Sequence, residues 1–285
     1  MRIRFDDQVA IVTGAGTGLG RSHALGLAAR GARVVVNDFS PAGQRPGGPS
    51  PAEQVSTEIR MAGGEAIANH ANVADQNQVG AMVEEAKRKW GRIDMLVNNA
   101  GILREGYFEE LPMQAFRDVM EINYFGILHA TRAALPHLRK ARGRLVNIAS
   151  MAGLTGAFGY TPYCSAKHAL MGLTDCLYYE LEPQGIKVQL VCPGEFDSPL
   201  VDELETYRTP ENRVHTLSIP KSSLDTIVEG TIAGIRADKH CIIPSAGARV
   251  MAFVLRHLPG LARVIARQKI RKVYRGPVVA RPVPD

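Results

Sequence analysis

The sequence predicts a doubly wound α/β fold, in which a parallel sheet of about seven strands lies between two layers of helices. Three observations predict it. Short apolar runs alternate with helical segments of ten or more residues, the order that parallel pairing through helical crossovers demands. Those runs are nearly continuous in Val, Ile and Leu, as in strands covered on both faces. The turn after the first run is rich in glycine, so the chain can bend sharply between strand and helix there.

Taken in order, Val9, Ile11 and Val12 form the first strand, ending at Thr13-Gly14. Helical spacing follows from Gly18 to Arg30, with Leu19, His23, Leu25 and Leu27 on it. Val34–Val36 is the second strand, and the Pro/Gly/Ser-rich stretch 40–51 reads as a surface loop. A helix over Ala52–Ala62 stops at Gly63-Gly64. Ala66–Ala68 opens a third strand, and Gln76–Trp90 is a helix ending at Gly91. Met95–Val97 is the fourth strand. Met113–Leu138 reads as one long helix despite Pro136, before a fifth strand at Leu145–Ile148. Thr161–Leu181 is helical up to Pro183 and Gly185, Val188–Val191 is the sixth strand, Leu224–Ala237 a helix and Cys241–Ile243 the seventh strand. No boundary interrupts this alternation, so residues 1–246 are expected to form one domain, with 247–285 as a basic amphipathic extension.

Composition narrows the class. At 45% hydrophobic and 22% charged, the 285 residues suit a globular body with a deep core. No apolar run is long enough to span a bilayer, and no charged-then-apolar leader precedes the first strand. An intracellular, cytoplasmic protein is expected. Residues 249–285 hold nine Lys/Arg against one acid, Asp285, which leaves the preceding 248 residues slightly negative despite the net charge of +6. A basic tail on a near-neutral body argues against nucleic acid as the partner. Cys164, Cys176, Cys192 and Cys241 show no C-x-x-C spacing and lie in or beside apolar segments, so buried thiols are expected, with no disulfide and no metal site.

The chemistry concentrates at strand ends. Thr13-Gly14-Ala15-Gly16-Thr17-Gly18-Leu19-Gly20 joins the first strand to the first helix, where free N–H groups and the positive dipole end favour a pyrophosphate. Asp38 ends the second strand, placed to accept from ribose hydroxyls and to repel a 2′-phosphate; with no cation at Thr17 or Phe39, NAD is expected over NADP. Tyr163 and Lys167 stand at i and i+4 on one helix face. A phenol has a pKa of about 10 and needs its anion stabilised to act near neutrality, which a lysine one turn away supplies. Ser150, just past the fifth strand, offers a hydroxyl to a substrate oxygen.

With these residues in place, the chain from about Asp6 to Pro244 resembles the short-chain dehydrogenases/reductases, which share a Rossmann-like three-layer sandwich. Thr13, Gly14, Gly18 and Gly20 match the T-G-x-x-x-G-x-G turn, and Asn98-Asn99-Ala100-Gly101 the N-N-A-G signature. Asn123, Ser150 and Tyr163 with Lys167 match the catalytic set. Pro193-Gly194, with Phe196 and Ser198, is similar to the segment that holds the nicotinamide carboxamide. The resemblance implies Tyr163 as general acid/base, Lys167 lowering its pKa and holding the ribose, Ser150 orienting the substrate and Asn123 holding a relay water. It also implies cofactor contacts from Gly14, Thr17, Gly18, Leu19, Gly20, Asp38, Asn72, Val73, Asn99, Ala100 and Gly101. Asn72 stands where the family usually has Asp, and Ser198 where it usually has Thr.

Two subgroups are similar to different stretches. Val36-Asn37-Asp38 with the long insertion, and Asn99–Arg104, look like hydroxyacyl-CoA dehydrogenase domains of peroxisomal multifunctional enzymes. Thr161 before Tyr163, and Asp197-Ser198-Pro199, are similar to 3-ketosphinganine reductases and related lipid or steroid enzymes. Both imply a bulky apolar substrate, and Leu103, Tyr107, Phe108, Leu154, Phe158 and Tyr160 are candidates for an apolar cleft under a lid at Asp197–His215. The expected activity is an NAD-dependent secondary-alcohol dehydrogenase or ketone reductase. The alternatives are an NADPH-dependent ketolipid reductase and a non-catalytic dinucleotide-binding regulator. The long helices imply a homodimer or homotetramer. In the tail, Arg263, Arg267 and Arg271 recur beside an apolar set, a pattern that suits an anionic membrane surface, a subunit partner or the protein's own body.

Overall fold

The computed structural model describes residues 3–39, 48–217 and 221–275; most of the expected loop at 40–51 and the last ten residues of the extension lie outside them. Seven parallel strands form a single sheet in the order β3-β2-β1-β4-β5-β6-β7. They are β1 (Val9–Val12), β2 (Arg33–Asn37), β3 (Ala66–Asn69), β4 (Met95–Asn98), β5 (Arg144–Ile148), β6 (Lys187–Val191) and β7 (Cys241–Ile242). The chain starts in the middle, winds outward to β3, returns beside β1 as β4 and winds the other way. The crevice between β1 and β4 is therefore the switch point at which such sheets bind ligands.

The helices are α1 (Gly18–Ala28), α2 (Pro51–Met61), α3 (Gln76–Trp90), α4 (Met113–Met120), α5 (Gly126–Ala141), α6 (Thr161–Leu181), α7 (Pro199–Glu205), α8 (Pro210–Thr216), α9 (Leu224–Arg236), α10 (Ala246–His257) and α11 (Pro259–Arg275). Strand pleating divides the core into two layers. Ala10, Val12, Val34, Val36, Val97 and Val146 pack under α1, α2 and α9, with Leu27, Val55, Ile59 and Ile232. Ile11, Val35, Leu96 and Leu145 face Val79, Met82, Ala130, Ala134 and Leu138 of α3 and α5 on the other side.

Local chemistry sets the helix ends. Ser50 accepts from the Glu53 N–H at 3.2 Å while the Glu53 carboxylate accepts from the Ser50 N–H at 2.7 Å, a reciprocal cap that starts α2 at Pro51. Asp75 caps α3 through the N–H groups of Asn77 and Gln78, and Gly91 ends it with φ 76°.

Two expectations need correction. The single helix over Met113–Leu138 is interrupted by a π turn at Glu121–Phe125. The Asn123 side chain is drawn inward there, accepting from the Ile102 N–H at 2.8 Å and donating to the Ile102 carbonyl at 2.9 Å. A π turn accommodates such an inserted side chain at the expense of helical register. The thiols also divide: Cys164 and Cys192 are buried, but Cys176 and Cys241 are exposed, because α6 turns Cys176 outward and β7 is the sheet edge.

A buried polar chain crosses the sheet. Asn98 of β4 donates to Asn147 of β5 at 2.9 Å, Asn147 donates to Thr174 of α6 at 3.0 Å, and Thr174 donates to the Leu170 carbonyl at 2.7 Å. All three side chains lie in the interior.

Candidate active site

At the β1–α1 turn, positive φ at Gly14 (61°) and Gly18 (52°) sets a path that β-carbon-bearing residues rarely adopt. A β-carbon on Gly20 would lie 2.1 Å from the Gly14 carbonyl oxygen, so the helix enters flush against the turn. Asn99 donates from its amide to the carbonyls of Thr13 and Gly14, both at 3.0 Å, and the Thr13 hydroxyl accepts from the N–H groups of Asn99 (3.0 Å) and Ala100 (3.1 Å). The N-A-G segment thus clamps the glycine turn from the β4 side.

This turn fits a dinucleotide. No side chain caps α1 at Thr17 and no acid occupies its first turn, which leaves the first N–H groups for an anion. Asp38 reaches over the turn, accepting from the Gly16 N–H at 2.9 Å, and a β-carbon on Gly16 would meet its carboxylate at 2.7 Å. A carboxylate at this point suits ribose hydroxyls.

The reacting groups come together from β5 and α6. Ser150 accepts from the Ala152 N–H at 3.1 Å and lines the cavity together with Tyr163. Lys167 is buried, donates to the Ile148 carbonyl at 2.9 Å, and holds its Nζ 5.6 Å from the centre of the Tyr163 ring. Burial pushes the Tyr163 phenol up to about 12 against a smaller opposing pull from the Ser150 hydroxyl. Burial likewise pushes Lys167 down to about 8. Asn123 lies below: a β-carbon on Gly101 would sit 3.2 Å from its oxygen and 3.8 Å from the Lys167 Nζ. With its amide bound to Ile102, Asn123 is buried and is not among the residues that line the cavity.

One cavity of about 1020 Å³ joins these parts. It is lined by Gly14, Thr17, Gly18, Leu19, Gly20, Asp38, Asn99, Ala100, Gly101, Ser150, Tyr163, Lys167, Pro193, Gly194, Phe196 and Ser198, all expected from the sequence. Asn72 and Val73 are not among the lining residues: the Asn72 oxygen accepts from the Ala74 N–H at 3.0 Å, and Val73 is packed against Gly126. Ser198 caps α7 through the Val201 N–H at 3.3 Å. Of the expected apolar residues, Leu103, Leu154 and Tyr160 line the cavity. Tyr107 and Phe158 form an edge-to-face pair with centres 5.8 Å apart, and Phe108 is exposed beside Phe116.

The segment expected to act as a lid folds as α7 and α8, and sequence reading missed what holds it. Arg208, its side chain wholly buried, pairs with Glu195 (2.9 Å) and Glu205 (2.5 Å) and donates to Asn212 at 2.8 Å. Glu105 accepts from the Thr209 N–H (3.1 Å) and hydroxyl (2.6 Å), and Tyr107 donates to Glu211 at 3.0 Å. Burial raises the Glu105 pKa, opposed by its Thr209 bonds. Also missed was the role of the extension: α11 packs on α8, and α10 and α11 supply Met251, Val254, Leu255, Ala262, Ala266 and Ile270 to the same cavity.

Known proteins bear on this geometry. The profile of the short chain dehydrogenase family matches residues 8–209. The chain is 40% identical over 196 residues to a peroxisomal hydratase-dehydrogenase-epimerase of Saccharomyces cerevisiae, covering 67% of this chain but 21% of that protein, so it spans about a fifth of that relative's length. It is 36% identical over 231 residues to the 3-oxoacyl-[acyl-carrier-protein] reductase FabG of Staphylococcus aureus, covering 81% of this chain and 91% of the relative. To a cyclohexanol dehydrogenase of an Acinetobacter species it is 38% identical over 207 residues, covering 72% and 79%. The chain belongs to the short-chain dehydrogenase/reductase family, oxidoreductases that interconvert alcohols and carbonyls with NAD(P).

Proposed function

We propose that this protein is an NAD(H)-dependent oxidoreductase that interconverts a secondary alcohol and a ketone on a bulky apolar substrate. The observation that carries the reading is the continuity of the cavity: the Ser150–Tyr163–Lys167 group opens directly onto walls of Leu103, Leu154, Leu200, Met251, Val254 and Leu255. The relatives' names, a cyclohexanol dehydrogenase and a 3-oxoacyl reductase, describe neighbouring chemistry on cyclic and acyl carbonyls.

The dinucleotide supplies or takes up the hydride. In the reducing direction the Ser150 hydroxyl donates a hydrogen bond to the substrate oxygen, and the Tyr163 phenol transfers its proton to that oxygen as negative charge grows on it. The phenolate left behind is stabilised by the Lys167 ammonium and regains its proton from solvent. Oxidation runs the same steps backwards. Asp38 supports NAD over NADP, since a phosphate on the ribose would meet its carboxylate. A homo-oligomer built through α4, α5 and α6 is supported by the exposure of Met113, Phe125 and Tyr179 on or beside those helices.

Steady-state turnover of NADH and NADPH with ketones of increasing alkyl size tests the reading. Rising kcat/KM with apolar bulk and a preference for NADH are expected. Preference for small polar ketones, or for NADPH, would overturn it. Light scattering on the purified protein tests the assembly, with a monomer as the contrary outcome.

A further inference from the structure

The matched family region ends at residue 209, yet the outer wall of the cleft comes from beyond it. α11 lies across the lid, packing on α8, and turns Ala262, Ala266 and Ile270 toward the cavity. Beside them Arg263, Arg267 and Arg271 line the same cavity while remaining exposed, which places their guanidinium groups at its rim. Four-residue spacing stacks the three up one face of the helix, about 6 Å apart along the axis.

Residues 246–275 contain no Asp or Glu, and among the described residues none of the three arginines forms an ion pair. Like charges at this spacing repel one another, so the row is relieved by an anion lodged against it. Guanidinium forks match the paired oxygens of phosphate or carboxylate. The row and Tyr163 line one and the same cavity.

We propose that α11 is an anion-recognition wall, selecting ketones or alcohols whose apolar body ends, away from the reacting carbon, in a phosphate or carboxylate. This rests on the apolar-substrate reading above and adds the charge at the substrate's far end. The body lies along Met251, Val254, Leu255 and Ile270, and the anion meets Arg263, Arg267 and Arg271 at the rim. The same cations facing an anionic membrane from outside are the competing explanation. The cavity position favours the bound ligand.

The test is calorimetric binding of decyl phosphate, decanoate and uncharged decanol to the full-length protein, with NADH present so that the phosphate does not report on the α1 turn. The anionic probes are expected to bind about ten-fold more tightly than decanol. High salt should shrink that preference, and the triple substitution R263Q/R267Q/R271Q should bring it near unity. R267Q alone, with a smaller reduction, serves if the triple variant does not fold. Equal affinity for charged and neutral probes overturns the proposal, as does a preference that survives the substitutions. So does an outcome in which the substitutions abolish only co-sedimentation with phosphatidylglycerol vesicles. Decanol reports on the apolar cleft by itself: its failure to bind sinks the parent reading, while the response of decyl phosphate to the glutamine variants still decides the arginine row.

Discussion

The two halves of the cleft are held by different chemistry. On the dinucleotide side the contacts run to backbone: Thr13 and Asn99 bind main-chain groups, and Gly20 packs where a β-carbon would not fit. On the substrate side the lid is held by side chains, with buried Arg208 between Glu195 and Glu205, and Glu105 against Thr209. Backbone-defined sites tolerate little change in conformation. Sites held by charge depend on every partner being present, and can be altered without disturbing the sheet.

The largest effect that would sharpen this contrast falls on chemistry alone. Tyr163→Phe should lower kcat about 1000-fold while NADH fluorescence and melting temperature stay near wild type; undiminished turnover would remove Tyr163 from the mechanism. Arg208→Met should cost about 3–5 kcal/mol where the lid is anchored, because two carboxylates lose their buried cation. Urea unfolding and hydrogen exchange over 199–216 would show this, and unchanged protection would dissolve the distinction between the halves.

Gly20→Ala attacks the backbone-defined half. Overpacking against Gly14 should cost about 1–3 kcal/mol and weaken NADH binding, with the lid's exchange unaltered. Asp38→Ala should shift the ratio of kcat/KM for NADH over NADPH about ten-fold toward NADPH, equivalent to ~1.4 kcal/mol. The smallest effect comes from acidification. His23 on α1 is buried with neither ring nitrogen hydrogen-bonded, and burial pushes its pKa down to about 4 from 6.5. The unfolded chain therefore takes up the proton first, so stability is intact above pH 6.5 and falls as pH drops from 6.5 toward 4. Near pH 6 the loss from this group is about 0.8 kcal/mol. His23→Leu should flatten the dependence of the melting temperature over that range, and an identical slope in the variant would refute the assignment.

The same contrast explains what the sequence disclosed. The strand runs, the glycine turn, Asp38 and the Tyr163–Lys167 pair were legible because each is fixed by local periodicity or by a backbone constraint a few residues long. The lid's anchors were not, because Glu105 and Thr209 are 104 positions apart and neither is distinctive alone. The π turn was hidden for a related reason: the residue that stabilises it, Asn123, binds Ile102, outside its own helix. For the tail, the pattern at Arg263, Arg267 and Arg271 was visible, but only tertiary packing showed that α11 lies over α8 and borders the cleft.

The amide chain from Asn98 through Asn147 to Thr174 works as an alignment key. Asn98 and Asn147 are direct partners across β4 and β5. Were β5 to slide by one residue, Asn147 would swing to the opposite face, and both amides would be marooned in hydrocarbon. Misaligned pairings are thereby rejected during assembly. Since β5 leads into Ser150, and α6 carries Tyr163 and Lys167 as well as Thr174, the same safeguard keeps the hydroxyl, phenol and ammonium meeting at one point each time the chain folds.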